Sequence, residues 1–230
     1  MDHQRAGDMG QAWGRVTGWL EQHGPDVLAA LGGPGSRAAL YEAELRMGLR
    51  LPRQMRQWLL ANDLDAGRQP HSGSGLVALG CPGVVPGGGL LLGLVDIERV
   101  YFHKTALEET APSGDGDCPS WRRAWVPILS ERDGAYGKFV DTSTGAVGSW
   151  SEGSFPEVSE YVSLSAFFQD VADQLEGAPW GDRSGPGGAR RLAPRPEDEP
   201  VRLWARANGY LVNDRGRVPA AVREAYEASR

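Results

Sequence analysis

The stretch that decides the fold is Trp121–Trp150, WRRAWVPILSERDGAYGKFVDTSTGAVGSW. Three short apolar runs, Trp125–Leu129, Gly137–Asp141 and Ala146–Trp150, are separated by the turn dipeptides Asp133-Gly134 and Thr144-Gly145. Runs rich in β-branched and aromatic residues, bounded by such dipeptides, read as strands. Turns this tight favour antiparallel pairing. An earlier run, Leu90–Val95, adds a further candidate strand. Downstream, Leu164, Phe167, Phe168, Val171 and Leu175 follow helical spacing. Ser163 or Ser165 can cap that helix and Gly177 is placed to end it.

Working outward, the first sixty residues read as helices. Trp13, Val16 and Leu20 share a helical face, and Gly24-Pro25 splits off a second piece around Val27, Leu28 and Leu31. A helix over Arg37–Met47 follows. Leu51-Pro52 then opens another, with Pro52 in its first turn and Met55, Trp58, Leu59 and Asn62 on one face. Helices, then strands, then a closing helix predict an α+β domain, with helices packed on a mostly antiparallel sheet.

Residues 177–196, GAPWGDRSGPGGARRLAPRP, are dominated by Gly, Pro and Arg and lack apolar periodicity. Such composition reads as a flexible, partly extended linker. Beyond it, Pro200 opens a short helix with Val201, Trp204 and Ala205 on one face, ended by Gly209. Pro219 opens a second, with Val222 and Tyr226 inward. The predicted organisation is a first domain over 1–176, a linker over 177–196 and a small helix-loop-helix over 197–230.

Composition bounds the function. Of 230 residues 40 % are hydrophobic and 23 % charged, which excludes a wholly disordered or fibrous chain. Gly 32 and Pro 16 exceed the usual share, so loops and linkers must absorb the surplus. The uncharged stretch Leu76–Val95 has the length of a membrane span but is interrupted by Gly and Pro from Gly80 to Gly93. It reads as a loop, then a strand. The start, MDHQRAGDMGQAWG, shows no basic region followed by an apolar run, so the expected location is the cytoplasm, without a membrane partner. Cys81 and Cys118 are too few and too far apart for a zinc site or disulfide scaffold. The formal charge of −6 divides unevenly: residues 1–182 carry 14 basic and 24 acidic side chains, residues 183–230 ten arginines and six acids. The two ends call for different partners.

No catalytic, metal or cofactor constellation emerges. Gly73-Ser74-Gly75-Leu76-Val77-Ala78 satisfies a relaxed dinucleotide fingerprint, but no strand precedes it and Pro82 and Pro86 forbid the following helix. Asp115-Gly116-Asp117 lacks the further oxygen ligands of a calcium loop. His3, His23, His71 and His103 lie in separate segments without metal-binding spacing, and His103 near Glu108 and Glu109 is only a weak acid-base pattern. No nucleophile elbow occurs, and neither Cys has a neighbouring base. The tryptophans read first as core. An exposed subset around Trp121 and Trp150 would instead suit a protein-binding anchor.

Residues 1–180 resemble the SUKH superfamily, which includes fungal cell-wall assembly regulators and bacterial toxin-immunity proteins. The resemblance rests on ELRMGLRLPRQMRQWLLAND from Glu44, LLLGLVDIERV from Leu90, WRRAWVPIL from Trp121, GKFVDTSTGAVGSW from Gly137 and SLSAFFQDVADQL from Ser163. Departures are the Gly-Pro insertion Gly67–Gly89, and Leu64-Asp65 where a Gly often follows the Asn-Asp turn. The resemblance implies a non-enzymatic, protein-binding fold, often one that neutralises a nuclease toxin. An acidic surface suits the basic groove of such a partner.

The tail VRLWARANGYLVNDRGRVPAAVREAYEAS, Val201–Ser229, is similar to the DNA-binding domain of the actinobacterial Lsr-type histone-like nucleoid proteins. That resemblance implies a nucleoid-associated protein that prefers AT-rich double-stranded DNA and uses Arg215-Gly216-Arg217. The chemistry of that tripeptide supports the implication. In an extended loop the two arginines start about 7 Å apart, and Gly216, without a Cβ, lets the backbone approach a minor groove about 6 Å wide. Narrow A·T-rich grooves concentrate negative potential, and the guanine amine obstructs G·C-rich ones. Arg202, Arg206 and Arg223 are the candidates for flanking phosphates. Two functions follow as expectations. One is a DNA-binding protein whose first domain holds an unidentified protein partner; the other is an immunity protein that neutralises a toxin through that domain.

Overall fold

The computed structural model describes residues 8–66, 80–86, 88–111, 119–151, 154–177, 199–208, 225–227 and 229. Its elements run α1 Met9–His23, α2 Pro25–Ala30, α3 Arg37–Met47, α4 Arg53–Ala61, β1 Leu90–Leu91, α5 Leu94–Thr110, β2 Trp125–Ser130, β3 Tyr136–Asp141, β4 Val147–Ser151, β5 Ser154–Tyr161, α6 Leu164–Leu175 and α7 Glu199–Ala207. The fold is α+β. Among the described residues the five strands form one antiparallel meander in chain order.

Helix boundaries follow local capping. Ser36 opens α3 by accepting from the Ala39 amide, and Ser163 opens α6 by accepting from the Ala166 amide at 3.2 Å. Each oxygen satisfies a donor that a helix start otherwise leaves unpaired. Gly177, at φ 72°, follows α6 as expected from the sequence. Pro52 sits one position earlier than its expected place, as the N-cap of α4.

Two expectations are corrected. Leu90–Val95 is not one strand: only Leu90–Leu91 pair with β2, and from Leu94 the chain becomes the long helix α5. The N-cap of α5 is Gly93, which has no side chain to offer; the carboxylate of Asp65 caps the helix by accepting from the Val95 amide at 3.1 Å. Gly93 is required there, because a Cβ would lie 2.4 Å from Asp65 Oδ1. The second correction is β5, which the sequence reading left out. It is an edge strand, where Pro156 is tolerated because one side of an edge needs no partner N–H.

Register assigns the sheet faces. Trp125, Phe139 and Trp150 share one face, with the Trp125 and Phe139 rings stacked at 4.2 Å and Trp121 edge-on to both Trp125 and Trp150. Val126, Val140, Val147 and Tyr161 share the other. There Tyr161 donates to Asp170 of α6 at 2.7 Å and packs on Phe167. Helix α6 carries Phe168 to Trp13 of α1 and Trp58 of α4. Asn62, expected on the apolar face of α4, is buried because it accepts from Trp13 Nε1 at 3.1 Å and donates to the Trp58 carbonyl at 2.9 Å.

Buried charges are held by partners. Glu44 of α3 accepts from the Leu51 amide at 2.9 Å and lies within salt-bridge distance of Arg50 and Arg56, tying α3 to the start of α4. Lys138 of β3 and Glu160 of β5 form an ion pair across β4, with both side chains about nine-tenths buried. Their adjacency depends on the irregularity in the β4–β5 register, where two residues of β4 oppose four of β5 between Val147↔Tyr161 and Ser149↔Glu157. Removing one member of a buried pair costs about 3–5 kcal/mol, whereas replacing both with apolar groups is often neutral. Lys138→Met should therefore lower the unfolding free energy by that amount, read as a lower urea midpoint at constant m, and Lys138→Met with Glu160→Leu should restore most of it. Equal losses in the single and double variants would refute this account of the pair.

Candidate nucleic-acid interface

The C-terminal segment builds its small core from residues at helical spacing. Val201 and Ala205, one turn apart on α7, are buried. Trp204 meets Tyr226 edge-to-face with ring centroids 5.6 Å apart. The helix closes through Asn208, whose amide donates to the carbonyls of Trp204 and Ala205 and whose side chain donates to the Trp204 carbonyl at 2.8 Å. Residues 225–227 are helical, and Ser229 Oγ donates to the Tyr226 carbonyl at 2.7 Å. The expected inward face Val201, Trp204, Ala205 is thus present, and Tyr226 packs on it.

The sequence-derived contact residues divide by position. Arg202 and Arg206 are carried on the backbone of α7, one turn apart. Arg215, Gly216, Arg217 and Arg223 lie outside the described residues, as do residues 178–196 of the expected linker.

Trp121 and Trp150 take their place in the core, in line with the first reading of the tryptophans and against the alternative of an exposed anchoring pair. They are 3 % and 4 % exposed. Trp150 Nε1 donates to the Gly134 carbonyl at 2.9 Å, so the indole satisfies its polar edge inside the domain. Lys104 of α5 lies over its ring at 5.4 Å from the centroid, covering the outer side. Large aromatic faces of this kind gain more from burial than from display.

The other titratable candidates have structural surroundings. His103 lies on α5, and partial shielding from solvent, together with Lys104, holds its imidazole below the usual pKa. Glu108 and Glu109 point to Ser120 and Arg123, strapping the segment before β2 onto α5. Cys81 is buried, its thiol directed to the Pro82 carbonyl at 3.7 Å and its backbone paired with Leu91; Cys118 and Asp115-Gly116-Asp117 lie outside the described residues. Among the described residues no group of three or more His, Cys, Asp or Glu is placed to hold a metal ion. No described helix is long and apolar enough to cross a membrane.

The contact between Trp204 and Tyr226 lies in a stretch of sequence rich in arginine, a composition suited to nucleic acid. Residues 193–229 match the family model of the Lsr2 DNA-binding domain. The chain therefore carries, at its C-terminal end, a DNA-binding domain of the nucleoid-associated type.

Among the described residues of this segment, Val201 and Ala205 are buried with Trp204 and Tyr226 packed against them, and a unit this small depends on each such contact. Trp204 is half-buried, so its truncation costs less than the about 3–5 kcal/mol of a fully buried Trp, still a large share of the stability open to so small a unit. Trp204→Ala should collapse the amide dispersion of residues 199–229 in NMR spectra and lower affinity for duplex DNA at least tenfold. The near-UV circular dichroism of the Trp121–Trp125–Trp150 cluster should stay unchanged. Retained DNA affinity in this variant would contradict the role given to the Trp204–Tyr226 contact.

Proposed function

We propose that this is a non-enzymatic nucleoid-associated protein. Its C-terminal domain inserts Arg215 and Arg217 into the minor groove of AT-rich DNA. Its acidic first domain, over 1–176, is SUKH-like and binds another protein. The match of residues 193–229 to a DNA-binding domain carries the first half of this reading. Support for the groove detail comes from the sequence: Gly216 separates two arginines, and the tripeptide lies between Trp204 and Tyr226, the two residues that meet in the small core. Guanidinium groups enter narrow, electronegative A·T grooves and are obstructed by the guanine amine. Arg202, Arg206 and Arg223 supply sequence-independent phosphate contacts. The segment 177–196 tethers the two domains.

The acidic domain supports the second half. With 14 basic against 24 acidic side chains over residues 1–182, it is repelled by a phosphate backbone and suits a basic protein surface. The DNA domain localises the chain, and the first domain brings its partner to that DNA.

Anisotropy titrations of AT-rich and GC-rich duplexes over a range of salt concentrations test the reading. The full chain should prefer the AT-rich duplex, and Arg215→Ala with Arg217→Ala should abolish that preference. Five arginines give a log–log salt slope no steeper than about −4.5, at about 0.9 per phosphate neutralised. Equal affinity for the two duplexes, or an unchanged preference in the double variant, would rule out the minor-groove mechanism.

A further inference from the structure

A cleft of about 160 Å³ opens between the start of α3, the residues after α4 and the first turn of α5. Its floor is apolar: Leu40, Leu59, Leu64 and Leu94 line it. Two apolar groups stand at its lip, Ala39 of α3 and Val95 of α5, the latter 53 % exposed. A dry apolar cavity of about 150 Å³ accepts a benzene molecule, so this space suits one branched aliphatic or aromatic side chain.

The walls are held by contacts between elements. Arg46 of α3 grips Glu98 of α5 through two hydrogen bonds of 2.6 and 2.8 Å. The Asp65 carboxylate caps α5 at Val95, and the Gly35 amide donates to the Leu60 carbonyl at 3.2 Å. A cleft fixed by helix caps and a bidentate ion pair is formed before any ligand arrives, which lowers the ordering cost of binding.

The rim carries charge. Asp63, Asp65 and Glu98 border the opening, with Arg46 as the one cation among the lining residues. The excess is negative, in a domain that is itself strongly acidic. An apolar socket with an acidic rim is complementary to an apolar side chain flanked by cations.

We propose that this cleft is the docking socket of the first domain, taking one aliphatic or aromatic side chain from a basic segment of a protein partner. The proposal rests on the reading of that domain as a protein-binding unit, and it names the surface and the chemistry of the partner. The side chain is the anchor, and the rim carboxylates select its basic neighbours and steer the approach.

The test uses the 15N-labelled full chain and three peptides: Ac-Arg-Leu-Arg-NH2, Ac-Glu-Leu-Glu-NH2 and Ac-Arg-Ala-Arg-NH2. The first should shift the amides of Asp63, Leu64, Leu94 and Val95 and bind about tenfold more tightly than either of the others. Ala39→Trp fills the mouth from an exposed helical position and should weaken that binding at least tenfold with an unchanged melting temperature. Val95→Lys, which adds a cation at the lip, should weaken it several-fold if the tryptophan variant misfolds. Equal response to the acidic or the Ala peptide overturns the proposal. So do cleft shifts that follow the protein's own concentration and ignore peptide, which would make a second copy the occupant. Shifts confined to another surface, such as Val158–Val162, overturn the socket but leave a protein-binding domain standing. No shift anywhere at millimolar peptide overturns the socket and also removes support from the protein-binding reading.

Discussion

The indole of Trp150 occupies the space that a Cβ on residue 137 would fill: built on Gly137, that atom would lie 2.2 Å from the ring and 2.4 Å from the Leu129 carbonyl. A side chain at 137 would force either the indole or β2 to move. With glycine there, Trp150 lies across β3, reaches the Gly134 carbonyl and stands edge-on to Trp121. One close approach thus couples the β3–β4 register to the turn at Gly134 and to the aromatic cluster. Because side chains alternate along a strand, a one-residue slip would turn Phe139 away from Trp125 and carry Lys138 away from Glu160. The same indole receives Lys104, so the seat of α5 depends on it as well.

The helical side is organised by polar groups buried with their partners. Asn62 joins Trp13 to the end of α4, Asp170 receives both Tyr161 and Gln174, and Gln54 and Ser165 exchange two hydrogen bonds between α4 and the start of α6. Hydrophobic burial alone is non-directional. These pairings give the packing its direction, since each group would be left unsatisfied in a shifted arrangement. Arg15 adds a link at the surface, from α1 to Asp173 and Glu176 of α6; exposed pairs of this kind contribute little by themselves.

Where the sequence was readable, the determinant was local. The turns at Gly134 and Gly145, both with positive φ, and the Ser163 cap announce β2, β3, β4 and α6 within a few residues. Helix α5 is different. Its first residues continue the apolar run from Leu90, and its cap comes from Asp65, thirty positions before the amide it serves. No local signal marks that start, so the run read as a strand. Asp65, noted as a departure in its loop, is the residue that makes the helix begin. Strand β5, whose Phe155, Val158 and Tyr161 are interrupted by Pro156, Glu157, Ser159 and Glu160, lacks apolar alternation because it lies at an edge and needs only one neighbour. Trp121 and Trp150 could not be assigned to core or surface from spacing alone; the burial of both follows from long-range contacts with Phe139 and Lys104. In the C-terminal segment the inward residues were legible because Val201, Trp204 and Ala205 repeat at helical spacing and Tyr226 supplies the facing aromatic.

The distribution of charge gives the two parts distinct work. A single acidic chain would be repelled by DNA at every approach, and a uniformly basic one would bind DNA along its whole surface. Here residues 1–182 carry an excess of acids, 24 against 14 basic side chains, and residues 183–230 an excess of arginines, ten against six acids. On the proposed reading, repulsion between an acidic first domain and the phosphates would favour approach to DNA by the basic end of the chain. A basic partner of the first domain, as proposed, would not compete with DNA for the same surface, because each is complementary to a field of opposite sign. If residues 177–196 tether the two parts as proposed, a partner of the first domain would be confined near the duplex, at an effective concentration that linker length sets rather than affinity.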